Sequence, residues 1–181
     1  MIIGLTGYAQ SGKDTVANTL VEQYGYTRVA FADKIREFLY EVNPMVGCSP
    51  SGYLKDLVDL IGWDAAKQEP QVRRLLQDLG VGARKVFGEN FWVQQALKDV
   101  HFEGNYVITD VRFTNEADII KKYDNSQLWR VKRNGVSPVN AHISESQMDG
   151  YPVDQIFTNN GSIEDLAALI KTRMSNALTE S

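Results

Sequence analysis

The residues Gly7-Tyr8-Ala9-Gln10-Ser11-Gly12-Lys13-Asp14-Thr15 have the types and spacing to hold phosphate. They follow an apolar run (Ile2, Ile3, Gly4, Leu5) and precede an amphipathic segment. The stretch therefore falls where a strand turns into a helix, the setting in which the P-loop pattern G-x-x-x-x-G-K-[ST] has a mechanism. Glycines let backbone N–H groups curl around phosphate oxygens. The following helix adds its unpaired N–H groups and the positive end of its dipole, and the lysine neutralises the outer phosphates. One position departs from the pattern: Asp14 follows Lys13, and the hydroxyl of Thr15 comes one place late. Gly7, Ala9, Gln10, Ser11, Gly12, Lys13, Asp14 and Thr15 are thus the expected nucleotide contacts. Lys13 is expected to bridge the phosphates of a nucleoside triphosphate, and Thr15 to reach the α-phosphate. Asp14 contacts magnesium directly or through water, or orients its neighbours.

A second acid fits the same chemistry. Asp110 closes the apolar run Tyr106, Val107, Ile108, the place of a strand-end aspartate that holds magnesium or its waters. The residue after it is Val111, not a water-activating glutamate, which favours transfer to an organic acceptor over hydrolysis. No Asn-Lys-x-Asp segment is present to read guanine, which disfavours a GTP switch. Phosphoryl transfer between two anions needs more positive charge than one lysine supplies. Arg36, Arg73, Arg74, Arg112 and Arg133 are placed to supply it, although Arg74 also reads as a solvated surface residue.

The chain of 181 residues is 43% hydrophobic and 23% charged, the make-up of one globular domain. No apolar run approaches the roughly 18 residues that span a bilayer, and no secretory signal is visible. The single cysteine, Cys48, suits a reduced thiol in a cytoplasmic protein, and the two histidines offer no zinc site. A net charge of −4 argues against stable nucleic-acid binding, which rests on a broad basic surface. Clusters such as Arg130, Lys132 and Arg133 suit a small polyanion.

Periodicity supplies the scaffold. Strands are expected at 2–6, 27–31, 105–110, 127–132 and 154–158, with Asp33 capping a helix after the second. Three apolar stripes, at 54–61, 72–79 and 93–100, read as helices punctuated by Gly62, Pro70, Gly80, Gly82 and Gly88. Residues 43–52 and 134–152 read as loops. Ser162 with Asp165 matches a capping box that opens a final helix, beyond which the tail is expected to fray. Strands alternating with helices imply a parallel sheet with helices on both faces.

The combination of 7–17, Phe31-Ala32-Asp33-Lys34, Arg73 to Gln77 with Gly80, Trp92-Val93, Thr109-Asp110-Val111-Arg112-Phe113 with Asn115-Glu116, and His142 with Ser144-Glu145 resembles the bacteriophage deoxynucleoside monophosphate kinases. The likeness runs through nearly the whole chain. The Gly-Lys-Asp loop alone is shared with phosphomevalonate kinases of animal type, and the Asp-Val-Arg-Phe-x-Asn-Glu segment is more specific. The resemblance implies a three-layer α/β/α P-loop NTPase fold with a central, mostly parallel five-stranded sheet. Its core would be 1–32, 104–133 and 153–181, with a helical monophosphate-binding insertion at 33–103 and a lid at 134–152. It implies ATP and Mg2+, a deoxynucleoside 5′-monophosphate (dNMP) acceptor, a homodimer as an allowed state, and the host cytoplasm for a phage-encoded chain. By the same resemblance Asp33, Lys34 and Arg36 lie at the monophosphate pocket. Arg73, Gln77, Arg84 and Trp92 fall in its walls, Trp92 reading equally as core. Arg112 and Glu116 face the acceptor or order the site. Arg133 is directed at the ATP phosphates and joins Lys13, Asp14 and Asp110 as a catalytic group. Asp14, Thr15 and Asp110 form the magnesium set. Tyr8, Tyr53 and Phe91 either wall a base pocket or belong to the core. Phosphomevalonate kinase, dephospho-coenzyme A kinase, an ATP-hydrolysing DNA-processing protein and a non-catalytic nucleotide sensor are the rival readings.

Overall fold

The computed structural model describes residues 1–98, 100–101, 103–137 and 147–179. Its elements run β1 (Ile2–Thr6), α1 (Lys13–Tyr24), β2 (Thr27–Val29), α2 (Phe31–Val42), α3 (Leu54–Ala66), α4 (Pro70–Phe87), α5 (Phe91–Leu97), β3 (Tyr106–Ile108), α6 (Thr114–Ile120), β4 (Ser126–Lys132), β5 (Gln155–Thr158) and α7 (Ile163–Thr179). The chain divides into two compact units, one of Met1–Ala30 with Asp99–Ser181 and the other of Phe31–Lys98.

The first unit is built on a five-stranded sheet in the order β2-β3-β1-β4-β5. Every pairing in it is parallel, so the sheet is parallel throughout. Period-two alternation sends β1 side chains to opposite faces. Ile3 and Leu5 join Val16, Leu20, Trp129, Phe157, Leu166 and Ile170 in a core under α1 and α7. On the other face a methyl at Gly4 would fall 2.7 Å from Leu128, 3.0 Å from Ile120 and 3.1 Å from Val111, which places α6 there. All five residues of β1 are buried, so the strand that carries the phosphate loop lies at the centre of three layers.

The second unit is helical. Leu39, Val46, Leu54, Leu57, Val58, Ala66 and Val72 form its core. Trp92 is buried and donates its indole N–H to the Gly80 carbonyl at 3.0 Å, which ties α5 to α4.

The expected boundaries shift where pairing or packing decides. The second strand ends at Val29 because its partner β3 ends at Ile108, the residue in register with it. Phe31 therefore opens a helix, and Asp33 lies in the first turn of α2 instead of capping it. There it pairs with Arg36 at 2.9 Å, and its charge complements the helix dipole. The third strand is Tyr106–Ile108, so Asp110 stands just beyond it. α3 runs on past Ile61 through a bend at Gly62 (φ 75°). α4 continues through Gly80 and Gly82 to end at Gly88 (φ 101°). The final helix opens as its motif requires: the Ser162 amide donates to Asp165 Oδ2 at 2.9 Å, and the Asp165 amide to Ser162 Oγ at 3.1 Å. α7 continues past Met174 to Thr179, where fraying is expected, and residues 180–181 lie outside the described residues.

Candidate active site

The loop after β1 needs its glycines. Gly7 has φ +138°, and a Cβ there would stand 2.3 Å from the Val131 carbonyl oxygen. Gly12 has φ +107°, and a Cβ there would stand 2.3 Å from Asn159 Nδ2. Gln10, between them, takes a left-handed φ of 64°. The loop closes with the Ser11 amide on the Tyr8 carbonyl at 3.2 Å, and α1 begins with the Val16 amide on the Gly12 carbonyl at 3.1 Å. Lys13, the first residue of α1, donates from Nζ to the carbonyls of Gly7 and Tyr8, both at 2.7 Å. The ammonium is thereby folded over the loop that leads into the helix. Ser11 Oγ is buried and has no hydrogen-bond partner among the described residues. A polar atom in that state normally has a partner, and a phosphate oxygen fits the need. Asp14 is exposed and Thr15 half-buried in the first turn of α1. The Thr15 carbonyl accepts the Thr19 hydroxyl at 2.9 Å.

A cleft of about 450 Å³ opens beside the loop, at the C-terminal ends of β1 and β4. That is where parallel α/β sheets place their ligands. Lys13, Arg112, Arg130, Lys132 and Arg133 line it, with Asp149 as its one acidic residue among the described residues. Gly7, Ala9 and Ser11 also line it, whereas Gln10, Gly12, Asp14, Thr15 and Asp110 do not. Arg112 and Arg133 are exposed and Asp110 is half-buried. Asp110 is held close to the loop's strand, because the next residue, Val111, donates its amide to the Leu5 carbonyl at 3.1 Å.

Glu116 orders the turn after Asp110. It is 5% exposed, and its Oε2 accepts the amides of Arg112 at 2.7 Å and Phe113 at 3.0 Å. A glutamate at the third helical position reaching back to the residues before the helix satisfies donors that would otherwise have no partner.

The remaining expected acceptor residues belong to the helical unit. Asp33, Lys34 and Arg36 share the first turns of α2, where Lys34 also pairs with Glu37 at 2.8 Å. Arg73 donates to the Gln68 side chain at 3.1 Å and to the Lys67 carbonyl at 3.4 Å. Gln77 is exposed, and Arg84 lies in the last turn of α4. Arg74 makes an exposed pair with Asp78 at 3.4 Å, the solvated role its position suggested. Trp92 stacks edge-on to Phe38 and Phe91, a packing position. Phe91 also stacks on Phe87, and Tyr53 is exposed. His142, Ser144 and Glu145 lie outside the described residues.

Several contacts around the loop and the cleft carried no sequence signal. Arg130 donates to the carbonyls of Asp149 at 3.1 Å and Tyr151 at 2.9 Å, and to that of Met148. Tyr8 donates its hydroxyl to Asp149 Oδ2 at 2.8 Å. Asn159, buried, donates from Nδ2 to the Ser11 carbonyl at 2.9 Å. These are contacts between distant polar residues, and no local periodicity encodes them. Among the described residues no cluster of three or more His, Cys, Asp or Glu side chains is arranged to hold a metal. A magnesium bound through one or two carboxylates and substrate phosphates needs no such cluster. Among the described residues no helix is long and apolar enough to cross a membrane.

The chain is similar to several known proteins. A protein of Acanthamoeba polyphaga mimivirus, provisionally named a deoxynucleotide monophosphate kinase, is 27% identical over 98% of this chain and 97% of its own length. The deoxynucleotide monophosphate kinase of Escherichia phage RB69 is 30% identical over 55% of this chain and 43% of its own. Among solved structures, shikimate kinase from Aquifex aeolicus aligns over the whole of both chains with a TM-score of 0.49 and 12% identity. The model of the deoxynucleotide monophosphate kinase family matches residues 58–170, a span that includes Asp110, Glu116 and Arg133 and covers well over half of the sequence; the chain belongs to that family.

Proposed function

We propose that the protein transfers the γ-phosphoryl group of ATP to deoxynucleoside 5′-monophosphates, giving dNDP and ADP. One observation carries this reading: a chain of this family sets an intact Gly-Lys-Asp-Thr loop at the edge of a cleft lined by Lys13, Arg112, Arg130, Lys132 and Arg133. Two phosphate-bearing substrates would meet there, and their charges must be offset before they can approach.

In this reading the amides of 9–15 and the Lys13 ammonium hold the ATP phosphates, and Arg133 offsets charge on the transferring group. Asp14, Thr15 and Asp110 would hold magnesium; when bound, the ion neutralises charge on the β- and γ-phosphate oxygens. Asp33, Lys34, Arg36, Arg73, Gln77 and Arg84 would serve the monophosphate, with Arg112 positioned by Glu116. The acceptor phosphate is already an oxyanion at neutral pH, so no general base is required. Catalysis is then positioning and charge neutralisation.

The test is nucleoside diphosphate formation from each of the four common dNMPs with ATP and magnesium. Lys13→Ala should lower turnover at least ~10²-fold, the scale for loss of one strong electrostatic contact. Turnover within a few-fold of wild type would remove Lys13 from the mechanism. Product only with phosphomevalonate or dephospho-coenzyme A would reassign the acceptor. DNA-stimulated ATP hydrolysis without dNDP would reassign the class.

A further inference from the structure

Asn159 and Asn160, just past β5, stand outside the motifs that carry the chemistry, yet three of their hydrogen bonds meet at the cleft. The Asn159 amide donates to the Lys132 carbonyl at 2.7 Å. Asn159 Nδ2 donates to the Ser11 carbonyl at 2.9 Å. Asn160 Oδ1 accepts the Asn134 amide at 2.9 Å. The backbone is therefore fixed on both sides of Arg133, and Asn159 also holds the phosphate loop at Ser11, one residue before Gly12. Gly12 is the steric counterpart, since any Cβ there would collide with Asn159 Nδ2. The Arg133 carbonyl also accepts the Val136 amide at 3.2 Å, with Gly135 at φ +76°, so the turn that carries Arg133 is itself closed.

We propose that Asn159 and Asn160 are positioning residues that set Arg133 relative to the phosphate loop. Engaging the Ser11 carbonyl with a donor keeps that oxygen from facing an anion held by the loop. Clamping Lys132 and Asn134 aims the intervening arginine at the same anion. The Arg133 part rests on the reading of that residue given under Proposed function; the Ser11 part requires only that the loop binds a triphosphate.

The two asparagines use opposite ends of their amides, and this makes the idea testable. Asn159 acts on Ser11 as a donor, so Asn159→Asp removes the bond and sets a carboxylate against a carbonyl. Asn160 acts as an acceptor, so Asn160→Asp keeps its bond. ATP binding is measured by calorimetry and dNDP formation by a coupled assay, with thermal unfolding as a check on folding. Asn159→Asp is expected to bind ATP 10–100-fold more weakly. Asn160→Ala should lower kcat about tenfold with the dNMP KM unchanged, and Asn160→Asp should recover most of that loss. In the Arg133→Ala background, Asn160→Ala should add less than a threefold effect, because a residue acting through Arg133 has nothing left to act on. Equal tolerance of aspartate at 159 and 160 would overturn the proposal, as would full additivity of Asn160→Ala with Arg133→Ala. If Asn159→Asp fails to fold, the Asn160 series decides alone. A wild-type chain that binds ATP but forms no dNDP would count against the proposed function and leave the Asn159 binding arm intact.

Discussion

Glu116→Ala should unfold the protein early, and the size of the loss follows from two hydrogen bonds. Glu116 is 5% exposed, and one oxygen, Oε2, accepts both the Arg112 and Phe113 amides. Removing it takes this acceptor from two N–H groups just before α6. Each costs about 1–2 kcal/mol once water partly enters the space left behind. The sum, about 2–4 kcal/mol, corresponds to a fall in Tm of roughly 5–15 °C for a domain of this size. Glu116→Gln keeps an acceptor in the same place and loses only the charge at a helix N-terminus. That substitution should cost about 0.5–1.5 kcal/mol. The assay is chemical denaturation of the three proteins, fitted with a common m-value. Two results would refute the reasoning. One is an alanine variant within ~0.5 kcal/mol of wild type. The other is a glutamine variant as damaged as alanine, which would make the charge, not the acceptor, the origin. Under the proposed function the alanine variant also frees the Arg112 backbone, and the dNMP KM should rise several-fold while ATP affinity stays near wild type.

Three further outcomes are expected. Gly7→Ala forces a Cβ onto the Val131 carbonyl at φ +138° and should abolish ATP binding, whereas Gly4→Ala meets only side-chain ends and should cost about 1–3 kcal/mol by overpacking; a binding titration beside a melt separates the two. Burial pushes the Tyr26 hydroxyl from its ordinary 10 up to about 12. The unfolded chain then loses that proton first, so Tyr26 contributes stability that is complete below pH 10 and lost as the pH rises toward 12. Tyr26→Phe should flatten the stability profile in that window. The Tyr8–Asp149 bond is exposed, so a double-mutant cycle with Tyr8→Phe and Asp149→Ala should give a coupling of about 0.5–1.5 kcal/mol; a coupling indistinguishable from zero would show that the bond does not join the loop to residue 149 in solution.

The phosphate loop, the strand before it and the capping box at Ser162 were legible because each is local: spacing alone encodes them. The end of the second strand was not, since Ala30 and Phe31 have the composition of a strand and only the length of β3 denies them a partner. Gly80 and Gly82 read as breaks, yet α4 passes through both. Packing of α4 against α2 and α5 outweighs the roughly 1 kcal/mol that each glycine costs a helix. The bonds that tie the loop and the cleft together were hidden for a different reason. Asn159, Arg130 and Tyr8 each act on backbone or side chains 18 to 148 positions away, and nothing in their neighbourhoods announces such a bond. Asp110 and Lys13 were found because strand-end and helix-start positions have a chemistry of their own. Glu116 was found only through the family likeness, although its spacing from Phe113 is that of half a capping box.

The central place of β1 has a consequence for how the protein is made. Ile2 lies opposite Tyr106 on one side and Ser126 on the other. The strand that bears the phosphate loop must therefore wait until about 100 more residues have left the ribosome, some 5–20 s at ordinary synthesis rates. Throughout that interval an apolar strand has neither neighbour. The α2–α5 segment, contiguous in sequence and rich in local contacts, can fold in the meantime. The nascent chain is thus exposed to misassociation at its own nucleotide-binding end, and a holdase that protects short apolar strands would raise its yield.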